Sequence, residues 1–156
     1  MKKLNLLLGI LIGLTILSCS TDEKNDNPEL SMAELLIQNS PWTFDHYELI
    51  NIIDAGNSDF TQTDIENDVN SRENSTILTF NQNGIGFVSI SGGGTVNWNW
   101  EIINGNQLKL IHNEANSSIL ENLSVSSTQL IFDVESVTYD QNVHYEVLHN
   151  GKYFYE

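Results

Sequence analysis

From Thr95 to Ile103 the chain alternates without a break. Val96, Trp98, Trp100 and Ile102 fall on one side, and Thr95, Asn97, Asn99 and Glu101 on the other. A period of two is that of an extended strand, so this segment reads as half-buried with its tryptophans toward a core. Its neighbours repeat the logic. Ile77–Phe80 runs into the turn Asn81-Gln82-Asn83-Gly84 and returns over 85–90, and Gly92-Gly93-Gly94 leads to the tryptophan strand. Asn104-Gly105-Asn106 then turns the chain back over 107–112, a composition suited to tight hairpins. Residues 119–125 and 130–134 form the next pair around Ser126-Ser127. Residues 143–149 and 152–155 form the last, around Asn150-Gly151. With 42–50 as the opening strand, these make eight main strands and a short ninth at the end. The expected fold is all-β: an up-and-down antiparallel eight-stranded barrel, since closure removes the edges a flat meander would expose.

One short helix is expected before the barrel. Ser31-Met32-Ala33-Glu34 has the spacing of a capping box, with Leu35, Leu36 and Ile37 behind it, and Pro41 cannot continue the helix. The one long connection, residues 54–74, is acidic and carries Phe60, Ile65 and Val69 as its only large apolar residues. It reads as a solvated loop.

The first residues have another composition. Lys2 and Lys3 precede an apolar run from Leu6 to Leu17, and Ile16-Leu17-Ser18 leads to Cys19, the chain's single cysteine. A charged start and an apolar stretch too short to span a bilayer comfortably read as an export signal. The residues before Cys19 resemble a lipobox, which implies cleavage there and acylation of Cys19; the alternative is an incidental cysteine behind an ordinary signal peptide. The expected organisation is a signal peptide over 1–18, a lipid-anchored acidic tether over 19–30 and the barrel domain over 31–156. Several acyl chains hold a protein durably where one does not. Acidic residues early in the tether resemble the signals that send lipoproteins to the outer surface of the outer membrane. Cell-surface display is therefore expected, with a periplasm-facing anchor as the alternative.

Residues 19–156 keep all 21 acidic side chains against Lys24, Arg72, Lys109 and Lys152 alone. Such a surface repels nucleic acid and anionic headgroups, so neither DNA nor RNA is expected as a partner. It also suits a soluble, monomeric exported domain.

The strand pattern, "Ser-Thr-Ile-Leu-Thr-Phe-Asn-Gln-Asn-Gly" over 75–84, the Trp-x-Trp strand and "Asn-Gly-Asn-Gln-Leu-Lys-Leu" over 104–110 together resemble a known family. It is the lipocalin-like domain of small lipoproteins of Gram-negative bacteria, and the resemblance runs from about Ala33 to Tyr155. It implies a small barrel with a tryptophan plugging one end, matched by Trp42, and an internal cavity at the other. The family's glycine two positions before the plug is Ser40 here. The arginine that often covers the plug is absent, the only arginine being Arg72.

No catalytic constellation stands out. There is no cysteine nucleophile in the domain and no phosphate-binding glycine loop, since neither helix nor lysine follows Gly92-Gly93-Gly94. No enzyme activity and no cofactor are expected. His46, His112, His144 and His149 lack metal-ligand spacing and read as surface or strand-end residues. Asp64-x-Glu66-x-Asp68-x-Asn70 alternates oxygen ligands, but Val69 stands where a calcium loop needs glycine and no bidentate glutamate closes the run. No metal is expected.

By strand parity Phe87, Trp98, Trp100, Leu108, Leu110, Phe132 and Tyr145 point to one interior, joined by the polar residues His112 and Glu121. An apolar cavity with one or two polar groups is what a small-molecule site needs. The candidate ligand-binding residues are Phe87, Trp98, Trp100, His112, Glu121, Phe132 and Tyr145, and the expected ligand is a small apolar or amphipathic molecule. The alternative is a barrel filled by its own aromatics, acting as an interaction module for an envelope or surface protein. In that case the 54–74 segment recognises the partner, with Phe60 as its anchor.

Overall fold

The structure is a computed structural model that describes residues 30–90 and 93–156. The expected signal peptide, Cys19 and most of the tether lie outside the described residues. The elements run α1 (Met32–Gln38), β1 (Trp42–Asp54), α2 (Gln62–Glu73), β2 (Ile77–Phe80), β3 (Ile85–Ser89), β4 (Thr95–Ile103), β5 (Gln107–Asn113), β6 (Asn116–Val125), β7 (Leu130–Asp140) and β8 (Tyr145–Tyr155). Each strand pairs antiparallel with the next and β1 closes on β8, giving an eight-stranded up-and-down barrel. This architecture is compatible with a lipocalin-like fold.

Helix α1 forms as its capping box dictates. The Ser31 hydroxyl accepts from the Glu34 backbone N–H at 3.3 Å, and the Glu34 carboxylate accepts from the Ser31 N–H at 2.8 Å. The helix buries Leu36 and sits beside Trp42, whose indole N–H donates to the Leu36 carbonyl at 3.0 Å. Trp42 is fully buried.

The expected ninth strand is absent: β8 is one 11-residue strand through Asn150-Gly151. Gly151 pairs with Leu49 on one side and Val134 on the other. A Cβ at 151 would collide with the ring and hydroxyl of Tyr47. The glycine serves a close crossing of a side chain over the strand, not a turn.

The 54–74 connection is also corrected. Most of it is α2, a 12-residue helix capped by Thr61 and Asp64 in a second capping box. Ile65 and Val69, four residues apart, are both fully buried, and Phe60 packs half-buried against the core. The helix is needed where it sits. Strand β1 pairs with β2 only at Trp42–Leu78 and Thr43–Ile77, and the Phe44 N–H reaches the Thr76 carbonyl at 2.9 Å. Beyond that, α2 supplies the acceptors: Asn70 Oδ1 takes the Tyr47 N–H at 2.8 Å and Glu66 Oε1 the Leu49 N–H at 3.0 Å. Four helical residues rise about 6 Å and two strand residues about 6.6 Å, so the helix side chains match the strand's spacing.

Two of the register shifts decide which side chains face inward. In β1 the register slips between Phe44 and His46, so the buried series passes from Trp42 and Phe44 to Tyr47. In β6 it slips between Glu121 and Ser124 around Asn122, whose φ is +51°. Asn tolerates that conformation, and its amide donates to Asp133 at 2.7 Å. Leu120 and Leu123 therefore face inward, while Ile119 and Glu121 face out. The inward placement expected for Glu121 is corrected by this bulge. Phe87 is corrected too. It lies opposite Asn97, whereas Gly86 lies opposite Trp98 and Val88 opposite Val96. The face shared with Trp98 thus belongs to Gly86 and Val88, and Phe87 is outward.

Candidate functional site

The barrel interior carries two aromatic groups. On β1, β7 and β8, Phe132 stacks on Tyr153 (centroids 5.7 Å apart, planes at 11°) and on Tyr155 (5.5 Å, 25°), and Phe44 meets Tyr155 edge-on at 5.6 Å. On β2 and β4, Phe80 meets Trp98 and Trp100 edge-on at 6.4 and 5.5 Å. Between the groups lies a cavity of about 260 Å³, walled by Trp98, Phe132, Tyr153 and Tyr155 with Leu78, Val88, Leu110 and Leu120. Its polar lining comes from Glu73, Thr76, His112, Glu135 and Ser136.

The structure brings together three of the residues singled out from the sequence: Trp98, His112 and Phe132 all line this cavity, His112 exposed at its mouth. Trp100 packs on Phe80 beside the cavity without lining it. Leu108 is fully buried, and Leu110 lies on the cavity wall. Tyr145 is half-buried but elsewhere, over Gly56, with its hydroxyl donating to Asp54 at 2.8 Å. Phe87 is outside. Glu121 lies with Ile53, Ile119, Asp133 and Glu135 in an outer-face groove, and accepts from Gln107 at 3.3 Å.

Trp98 owes its place to Gly86. A Cβ there would fall 2.7 Å from the indole Nε1, so the missing side chain lets the ring lie flat against β3. The same wall covers Nε1, which is buried without an acceptor among the described residues.

Sequence reasoning missed the polar cluster under α2. His149 is fully buried, not a strand-end residue. Its Nδ1 lies 2.8 Å from the Tyr47 hydroxyl and its Nε2 3.2 Å from Thr138 Oγ1. Thr138 donates to Asp68 at 3.0 Å, and Asp68 also accepts from Arg72 at 2.9 Å. Since the Thr138 proton goes to a carboxylate, Nε2 carries the imidazole proton and Nδ1 accepts from Tyr47. Burial, helped by Arg72, holds the His149 pKa below its ordinary value. Burial likewise raises Tyr47, Tyr153 and Tyr155, so all three remain protonated phenols. The alternation of β8 places Val147, His149, Gly151, Tyr153 and Tyr155 in one buried series, and that was the available signal.

The Asp64, Glu66, Asp68 and Asn70 run is helical and already engaged. Asp64 caps α2, Glu66 and Asn70 bond β1, and Asp68 holds Arg72 and Thr138. Among the described residues no group of three or more His, Cys, Asp or Glu side chains is placed to hold a metal ion, and no helix is long and apolar enough to cross a membrane. No protein-family model matches the chain, and a search of curated proteins finds no match.

Proposed function

We propose that this chain is an exported lipoprotein of the lipocalin-like kind, anchored through Cys19 at the outer membrane and displayed on the cell surface, that binds a small molecule in its barrel without catalysis. One observation carries the binding reading: an aromatic-walled cavity with a few polar groups at its mouth, the usual composition of a small-molecule site. Burial of a ligand's apolar area against Trp98 and Phe132 supplies the attraction, at roughly 25 cal/mol per Å², and His112 orients its polar end. The anchor reading is supported by the sequence of residues 1–19. The rival reading, recognition of an envelope protein by the 54–74 segment, is disfavoured because Ile65 and Val69 are buried in the fold and Phe60 packs against the core.

Two experiments test the parts separately. Trp98→Ala abolishes ligand uptake while the folded barrel persists; uptake unchanged in that variant overturns the binding reading. Cys19→Ala moves the protein from the membrane fraction to the soluble one; unchanged membrane association overturns the anchor.

A further inference from the structure

The outer wall of the barrel carries charges that the fold leaves unbalanced. Where β6 lies against β7, Glu121 and Asp133 are direct cross-strand partners, and Glu135 follows two residues along β7 on the same side. Like charges directly opposite each other in a sheet are destabilising, and no cation relieves them here. The ion pairs of the described residues lie elsewhere: Arg72 with Asp68 and Glu73, Lys109 with Glu101, and His46 with Asp45 and Glu48. Lys152 stands opposite Asp133 on β8 but forms an ion pair with none of the three. Their hydrogen-bond partners among the described residues are neutral amides, Gln107 on Glu121 at 3.3 Å and Asn122 on Asp133 Oδ2 at 2.7 Å. Asp133 lines the outer groove yet is only 8 % exposed, and its other oxygen, Oδ1, is buried without a donor among the described residues. A carboxylate oxygen taken from water without a donor is costly, and a cationic donor seated in the groove removes that cost.

The three carboxylates are not placed to share a metal ion; they are spread along the wall. Ile53 and Ile119 stand among them, each nearly half exposed, and Val137 and Tyr139 continue the outward side of β7, also exposed. Aliphatic surface interleaved with carboxylates suits a side chain that carries a cationic head on an apolar stem. Arginine suits it best, because its planar fork bonds two acceptors at once. Alternate residues of an extended peptide lie about 6.6 Å apart, the same spacing that separates Asp133 from Glu135 along β7. A second copy of the chain is a poor occupant, since a net charge of −15 makes two such surfaces repel.

We propose that this wall docks an arginine-bearing segment of a protein partner, its guanidinium groups at Glu121, Asp133 and Glu135 and its stems along Ile53 and Ile119. The docking face is independent of the cavity-binding reading. Phe132 faces the cavity and Asp133 the groove, so β7 separates the two.

The test is a calorimetric titration of the purified full chain, in 0.15 M salt to screen its acidic surface. The probe is the blocked peptide Gly-Arg-Ile-Arg-Ile-Arg-Gly, whose arginines share one face when extended. Its control carries citrulline, a neutral near-isostere, in place of each arginine. The arginine peptide binds, and the citrulline peptide binds weaker by about tenfold or more, the worth of one lost charge-assisted hydrogen bond. Glu121→Gln and Glu135→Gln each weaken arginine binding by about tenfold. Glu114→Gln, which removes an exposed carboxylate between β5 and β6, leaves it unchanged. No binding of the arginine peptide overturns the proposal, as does citrulline binding of equal strength. Equal weakening by Glu114→Gln assigns the attraction to the acidic surface at large and overturns the groove. Spermidine binding tighter than the peptide, with the same glutamate dependence, makes the groove a polyamine site. A dimer in sedimentation that Glu135→Gln abolishes gives the wall to a second copy. Either of these last two results overturns the protein partner.

Discussion

The Tyr47 hydroxyl lies 2.8 Å from His149 Nδ1, and the same phenol passes over Gly151 two residues further along β8. The hydrogen bond fixes the ring, and the glycine makes the space it occupies. Gly151→Ala forces the pinned ring to move. Overpacking of this kind costs about 1–3 kcal/mol, and urea unfolding reads it as a lowered midpoint. Gly94→Ala, at a site with nothing within 4 Å, leaves the midpoint unchanged. Equal behaviour of the two variants contradicts the close crossing.

His149 makes stability depend on pH. Its folded pKa lies below the ordinary 6.5, so the unfolded chain binds the proton first. Stability is complete above about pH 6.5 and declines as pH falls below it, by up to about 1.4 kcal/mol per unit, until the folded value is reached. Asp54, Asp64 and Asp140, whose pKa values are lowered from 3.8 by hydrogen bonds, act in a separate, lower window. Their contribution is present above 3.8 and lost as pH falls through the folded values. His149→Gln should be less stable at neutral pH but flatter between pH 7 and 5. The measurement is unfolding free energy across that range, and a wild-type slope retained by the variant refutes the assignment.

The side chains of α2 complete the backbone bonding of β1. Asn70→Ala leaves the Tyr47 N–H without its acceptor, at a cost of about 1–3 kcal/mol. Hydrogen exchange localises the effect: the amides of Tyr47 and Leu49 lose protection, while those of β7 keep it. Uniform loss across the barrel would mean that α2 is part of one cooperative unit and not a local seal.

The Thr61 cap should be worth about 1 kcal/mol. Thr61→Ala lowers the unfolding midpoint accordingly, and Thr61→Ser restores most of it. A Thr61→Ala midpoint equal to wild type shows that α2 is held by Ile65 and Val69 alone.

Where one face of a strand is cleanly apolar, the sequence was enough to place it. Thr95–Ile103 and its hairpin neighbours are strands as their alternation predicts, and α1 starts at its capping box. Parity failed at Glu121 because a single extra residue at Asn122 reverses every side chain beyond it, and nothing apolar marks that bulge. It failed at Phe87 because a glycine, Gly86, takes the inward position and a large aromatic the outward one. Helix α2 was missed because only Ile65 and Val69 mark its buried face, although Thr61-x-x-Asp64 announced its start. Asn150-Gly151 read as a turn because that dipeptide commonly is one; only the ring of Tyr47, distant in sequence, explains the glycine. The cavity was legible through Trp98 and Phe132. Glu73 was not, since its place on the lining depends on how α2 meets the barrel.

The most direct test of the account is native mass spectrometry of the protein purified from its source cells without detergent, alongside Trp98→Ala prepared identically. The account predicts a reproducible additional mass on the wild-type chain, released on denaturation and missing from the variant. A bare polypeptide mass for both, from a preparation whose barrel is folded, would contradict it.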